Sequence, residues 1–277
     1  MVRLTREVRF SVDRDWAGHI ELSRPIANSF GGWPSAVGLV PYLRLRATVA
    51  GEPDRVTGYL CNISLLDRLL REHAIPFAAE RLRRLGWRES AERLLASVWE
   101  RVAPECPAGG ALDRLELMTT PFLSYAIERE APEMVFLTQQ FEFSAAHRLH
   151  SERLTAEQNR ATFGKCNNPN GHGHNYVVEV TIGGRPDPET GVLLPLPRFE
   201  RVVQQRVIDL LDHRHLNLDV EQFRALNPSV ENLARVVWEL LAEHVSPARL
   251  HRVRVCETPK TWADYSGGAH HPSAGPA

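Results

Sequence analysis

The sequence has almost no net charge, −1 over 277 residues. It therefore gives no reason to expect nucleic acid or an anionic membrane as a partner. No apolar run approaches the ~20 residues that a membrane-crossing helix needs. The opening MVRLTREVRF carries charges where a secretory leader would carry an apolar stretch. These absences predict a cytoplasmic protein. Cysteine is scarce: Cys61, Cys106, Cys166 and Cys256 form no CxxC pair. In a reducing compartment they read as free thiols, so a special cysteine has to be argued from its neighbours. What the chain does have is length and apolar content. Its 43% hydrophobic and 24% charged residues suffice for two domains of about 130 residues with their own cores.

The chain repeats itself. At a shift of 133, TVAGEPDRVTGYL (48–60) falls on TIGGRPDPETGVL (181–193), with 7 of 13 positions identical. At the same shift Phe10-Ser11 falls on Phe143-Ser144 and Phe30-Gly31 on Phe163-Gly164. SAERLLASVWE (90–100) falls on SVENLARVVWE (229–239) at a shift of 139, and RLELMTTP (114–121) on RVRVCETP (252–259) at 138. Ordered matches of this kind are the signature of an internal repeat. They predict two copies, 1–130 and 136–266, followed by a disordered tail, 267–277.

Each copy reads as strands, two helices, then a strand. In the second, FLTQQFEFSAAH is extended, GKCNNPNG (164–171) is a turn, and HNYVVEVTIGG is a strand ending at RPDPETG. FERVVQQRVIDLLD (199–212) and VENLARVVWELLAEHV (230–245) have helical periodicity, with Ser229 as a possible N-cap, and RLHRVRVCETP closes the unit. The predicted class is α+β: two tandem units, each an antiparallel sheet with two helices on one face.

Chemistry gathers in the second copy. His172 and His174 are two apart on a strand, so both imidazoles point to one face. His147 ends a strand whose alternation shares a face with Phe143 and Ala145. Three neutral imidazoles suit zinc and leave a fourth position open, as catalytic sites do. Cys166 sits in the turn beside Lys165, where a cation favours the thiolate. It suits a general base; as a fourth zinc ligand it would instead close the site. Asp212-His213 reads as a proton shuttle or as a solvated helix end. Glu257 shares a face with Val253 and Val255, so it needs a donor: a salt-bridge partner, or adjacent N–H groups on a ligand.

Taken together, FEFSAAH, FGKCNNPNGHGHNY, DPETG, LDHRHLN, NPSVEN and CETP resemble the 6-pyruvoyltetrahydropterin synthase family through nearly all of the second copy. The resemblance implies the tunnelling fold, whose subunits join their sheets into a barrel, and sites built between neighbouring subunits. It implies zinc on His147, His172 and His174, with Cys166 as base and Asp212 and His213 as relay. Glu257 would anchor the pterin, and Ser229 and Glu231 would line its pocket. The substrate would be 7,8-dihydroneopterin triphosphate, which loses triphosphate. The family has two outcomes, 6-pyruvoyltetrahydropterin and 6-carboxytetrahydropterin, a queuosine precursor formed with release of acetaldehyde. The five residues between Cys166 and His172 resemble the pyruvoyl type. A rival reading is a non-catalytic zinc- and pterin-binding protein.

The first copy lacks the site. Arg14, Trp33, Leu39 and Pro41 stand where the second has His147, Cys166, His172 and His174, and Thr119 stands for Glu257. The stretch matching LDHRHLN is six residues shorter. The first copy then reads as a spacer or as a binder of another ligand, in a homo-oligomer.

Overall fold

A computed structural model describes residues 1–12, 41–107 and 111–268. The first-copy positions Arg14, Phe30, Gly31, Trp33 and Leu39 lie outside the described residues, as does the tail beyond 268. By contact the chain divides into Met1–Leu137 with Gly184–Leu193, and Thr138–Gly183 with Leu194–Ala277.

In the first unit, strands β1 (Val2–Ser11) and β2 (Tyr42–Gly51) precede three helices, α1 (Ile63–Arg68), α2 (Ile75–Leu85) and α3 (Ala91–Val102). A π-helical turn, Leu69–Ala74, joins α1 to α2. Strands β3 (Ala111–Thr120) and β4 (Leu123–Glu128) follow. The antiparallel order is β1-β2-β3-β4, with Val8 opposite Leu45, Leu45 opposite Leu117 and Leu117 opposite Tyr125. Period-two alternation puts Val8, Leu45, Ala47, Leu115 and Ile127 on a buried face, and Leu66, Leu70, Leu95 and Val98 of the helices are buried with them. On the other face charges alternate across the strands, and Arg46 binds both Glu7 and Glu116. Ser90 caps α3, its hydroxyl accepting from Arg93 N at 3.1 Å.

The second unit contains β5 (Val135–His147, from Thr138 onward), α4 (Ala156–Phe163) and β6 (His172–Gly184). Helix α5 (Leu196–Val203) runs through a π-helical turn, Gln204–Ile208, into α6 (Asp209–Leu211). The short β7 (Arg214–His215) and α7 (Leu216–Asp219) precede α8 (Val230–Leu241), β8 (Arg249–Thr258) and β9 (Thr261–Tyr265). The order is β5-β6-β8-β9, with β7 parallel beside β5. Phe143, Tyr176, Val178, Val253 and Val255 form the buried sheet face, and Phe199, Val203, Leu233 and Val237 are the buried residues of α5 and α8. Sequence periodicity locates the long strands and helices. It misses α4, β4, β7 and β9, which are short or carry little alternation.

Local features recur at the spacings read from the sequence. Register shifts fall at Thr48/Val49 and Thr181/Ile182, and again at Met118/Thr120 and Cys256/Thr258. Thr5 and Thr48 share a hydroxyl hydrogen bond of 2.8 Å, and Thr138 and Thr181 one of 2.9 Å. Asp54 Oδ1 accepts from Val56 N and Thr57 N, and Asp187 Oδ1 accepts from Glu189 N and Thr190 N. Gly58 and Gly191 close these turns at φ +73° and +72°, a region that favours glycine.

The turn 187–191, read from the sequence as part of the second copy, packs within the first unit. Ser90 Oγ donates to Gly191 O at 2.6 Å, and Arg93 donates to the carbonyls of Pro188 and Glu189. Glu92 is 3% exposed and accepts from Leu193 N at 3.1 Å. Burial pushes its carboxyl pKa up, against the pull of that hydrogen bond.

Candidate metal centre and active site

His147, His172 and His174 converge as the alternation requires. One ring nitrogen from each lies within 4.8 Å of the others, and among the described residues no cysteine sulfur belongs to the group. His147 is fully buried. Its Nδ1–H donates to Pro228 O at 2.7 Å, which leaves Nε2 as a bare lone pair facing the cluster. Such a carbonyl partner fixes the tautomer that a metal needs. His147 Nε2 lies 3.1 Å from His172 Nε2. Buried His172 Nδ1 and His174 Nε2 have no hydrogen-bond partner among the described residues. Burial, the largest cause, holds the pKa of both these imidazoles below the ordinary histidine value, which favours the neutral ligand form. Convergent lone pairs without internal donors are what a bound zinc ion would satisfy, so the donor set fits the metal.

Glu257 reaches the same cluster from β8. Its Oε1 lies 3.3 Å from His147 Nε2 and 3.5 Å from His174 Nε2. The neighbouring His147 is the main cause that keeps its pKa low, against partial burial. The sequence asks for a donor here, and with the His147 proton committed to Pro228 O the nearest groups are imidazole nitrogens. Tyr176 is a residue sequence reasoning missed. It follows His172 and His174 at the same period, so alternation alone could have found it. Its ring stacks on Phe143 at 4.9 Å, and its buried hydroxyl has no partner among the described residues. Burial drives its pKa far upward, with Glu257 and Cys166 adding to the effect.

The loop bearing Cys166 is held by amide side chains. Leu149 N donates to Cys166 O at 2.8 Å, Asn167 Nδ2 to Leu149 O at 2.7 Å, and Arg148 Nε to Asn167 O at 3.3 Å. Cys166 is partly exposed. Gly171 ends the loop at φ +73°, where a Cβ would lie 2.8 Å from His215 Nε2 and 3.0 Å from His147 O. Gly171→Ala is predicted to cost about 1–3 kcal/mol from backbone strain alone, read as a lowered urea midpoint. An unchanged midpoint would show that the turn relaxes freely.

Asp212 and His213 form the predicted pair, with His213 Nδ1 2.8 Å from Asp212 Oδ2. Asp212 Oδ1 also accepts from Ser144 N at 2.8 Å, and His213 N donates to Ser144 O. The Ser144 bond first, then His213, lowers the Asp212 pKa. His213 has φ +55°, the one positive-φ non-glycine among the described residues, and its side chain is 83% exposed. It lines a groove of about 520 Å³ with His174, Asn175 and Ser144. Among the described residues no hydrogen bond joins the Cys166 thiol to either member of the pair. Ser229 caps α8, accepting from Asn232 N, and Glu231 is exposed in the first turn of that helix.

The fold and this centre define an α+β protein whose three histidines could hold a metal. Residues 136–268 match the model of a family described as 6-pyruvoyl tetrahydropterin synthase. The chain belongs to that family and is a lyase of its type. It is 46% identical over 126 residues to the putative 6-pyruvoyl tetrahydrobiopterin synthase of Caenorhabditis elegans, covering 45% of this chain and 89% of that relative. It is 40% identical over 131 residues to the 6-pyruvoyl tetrahydrobiopterin synthase of Homo sapiens, covering 47% and 90%. The solved Caenorhabditis elegans 6-pyruvoyl tetrahydropterin synthase is 43% identical, with a TM-score of 0.47 over 49% of this chain and 96% of that one. No described helix is long and apolar enough to cross a membrane.

Proposed function

We propose that the second half of the chain is a zinc-dependent cytoplasmic lyase that converts 7,8-dihydroneopterin triphosphate into 6-pyruvoyltetrahydropterin with loss of triphosphate. The convergence of His147, His172 and His174 beside the Cys166 loop carries this reading. Bound zinc supplies positive charge that acidifies a C–H next to the side-chain hydroxyls. The Cys166 thiolate takes that proton, and triphosphate departs with the electron pair of its C–O bond. The Asp212 carboxylate holds the His213 tautomer, so the imidazole passes protons at its outer nitrogen. Glu257 receives the adjacent N–H groups of the pterin, with Ser229 and Glu231 lining the pocket.

The first unit is, on this reading, a degenerate copy of the same fold. The paired bulges, threonine bridges, Asp-Gly turns and serine caps support it. Since no hydrogen bond among the described residues joins the Cys166 thiol to the Asp212–His213 pair, a homo-oligomer completes the relay across subunits.

The test is incubation with 7,8-dihydroneopterin triphosphate, with triphosphate and product measured by mass spectrometry. Equal amounts of triphosphate and 6-pyruvoyltetrahydropterin are expected. Acetaldehyde with 6-carboxytetrahydropterin would assign the other family outcome, and binding without turnover would reduce the protein to a binder.

A further inference from the structure

We propose that the first unit binds a small phosphate monoester with an apolar body, in the cavity where β1, β2 and the end of β3 meet. The cavity has a volume of about 550 Å³, within the range of small-molecule sites. Its walls are of two kinds. Arg9 and Arg44 supply positive charge, while Tyr42, Met118 and Pro121 supply apolar surface. No carboxylate stands among the residues that line it.

The two guanidinium groups come from one rung of the sheet, where Arg9 pairs with Arg44 and Arg44 with Met118. Like charges directly opposite each other destabilise a strand pair. Glu7 relieves part of that repulsion, its Oε1 accepting from Arg9 Nε at 2.8 Å. Its other oxygen accepts from Arg46 Nε at 2.7 Å, so one carboxylate already serves two arginines. The Arg44 side chain is partly buried and has neither an ion pair nor a hydrogen bond among the described residues. A guanidinium offers five donors and no acceptor. An oxyanion matches it, since phosphate takes two parallel N–H bonds from such a fork. A phosphate monoester carries close to two negative charges at pH 7. It therefore offsets both arginines, where a carboxylate offsets one. The apolar walls favour an organic phosphate over the inorganic ion.

The second unit carries the same rung with other chemistry. Val177 pairs with Cys256 there as Arg44 pairs with Met118. At the shifts of 133 and 138, Glu142 stands for Arg9 and Glu257 for Thr119. This comparison rests on the tandem reading above; the cavity and its charges do not. Carboxylates at these positions suit a partner that donates hydrogen bonds. Guanidinium groups suit a partner that accepts them. The first unit thus selects a ligand of the opposite polarity, rather than a weaker version of the second unit's ligand.

The experiment uses the full chain, with phenyl phosphate as probe and inorganic phosphate and benzoate beside it. Phenylglyoxal, which modifies arginine, is added with and without each probe. Mass spectrometry of the digested chain then reads the modification of Arg44. Phenyl phosphate is expected to protect Arg44 at concentrations at least about tenfold lower than either of the other two, the factor set by one net hydrogen bond to a charged group. The exposed Arg68 should stay unprotected. Calorimetry then compares the wild type with Arg44→Gln and Arg44→Lys, after thermal melts show that each folds. The glutamine variant should bind phenyl phosphate roughly 10–100-fold more weakly. The lysine variant should recover part of that loss, as a point charge without the fork. Both variants are expected to release triphosphate at the wild-type rate, so failure of the proposed reaction and failure of this site are read separately. The protection measurement needs no variant. Absence of Arg44 protection, equal protection by benzoate or inorganic phosphate, or undiminished affinity in a folded Arg44→Gln chain would each overturn the proposal.

Discussion

Cys166→Ala is expected to lower triphosphate release by roughly 10²–10⁴-fold, the range for loss of a positioned general base, while leaving the metal content unchanged. The two halves of that expectation separate two roles. The three histidine nitrogens form a ligand group without a cysteine sulfur. If Cys166 is the base, its truncation removes a proton acceptor used in the transition state and touches no ligand. The loss then falls on kcat rather than KM. If Cys166 instead closed the site as a fourth ligand, the variant would lose zinc together with activity. Metal analysis on the variant therefore decides between base and ligand, and undiminished turnover would remove Cys166 from the mechanism. The backbone of the loop gives no reason for a confounding collapse. Its anchors are the Leu149 N to Cys166 O bond and the Asn167 amide bond to Leu149 O, and neither involves the thiol.

Much of this centre was legible in the sequence because strand geometry is periodic. His172 and His174 sit two apart, so alternation alone puts them on one face, and the same rule extends to Tyr176. His147 could be assigned its face but not its depth. That its Nδ1 is tied to Pro228 O depends on a chain segment 81 residues away, and no local pattern reports such a contact. The Asp212–His213 pair was readable as adjacent residues. The left-handed backbone of His213 and the pair's bonds to Ser144 were not, because they arise from β7 lying parallel to β5 over two residues. The turns 54–58 and 187–191 share a sequence because Asp and Gly are fixed there by backbone hydrogen bonding and by φ. The packing of turn 187–193 against α3 was not legible in the sequence, for a physical reason: a buried Glu92 takes its donor from Leu193 N, 101 residues away.

His174→Ala is expected to remove the metal and to lower activity by at least about 100-fold, more than the loss of an outer-shell partner costs. It is a cleaner probe than His147→Ala, since His147 is fully buried and its truncation would also strand the carbonyl of Pro228. Zinc that binds only the folded chain stabilises it by about 4 kcal/mol when free metal is 1,000 times its Kd. Wild type stripped with a chelator and the untreated variant should therefore unfold near the same temperature, and re-added zinc should raise only the wild type. The pH at which zinc is lost has a definite sign. Burial lowers the pKa values of His172 and His174, so protons displace the metal only below the ordinary histidine value, about 6.5. The carboxylate of Glu257, whose pKa is held low with the neighbouring imidazoles as causes, adds negative charge that favours the cation over the same range. A wild type that releases zinc while still above pH 6.5, or a His174→Ala chain that keeps it, would mean that the three imidazoles are not the ligands.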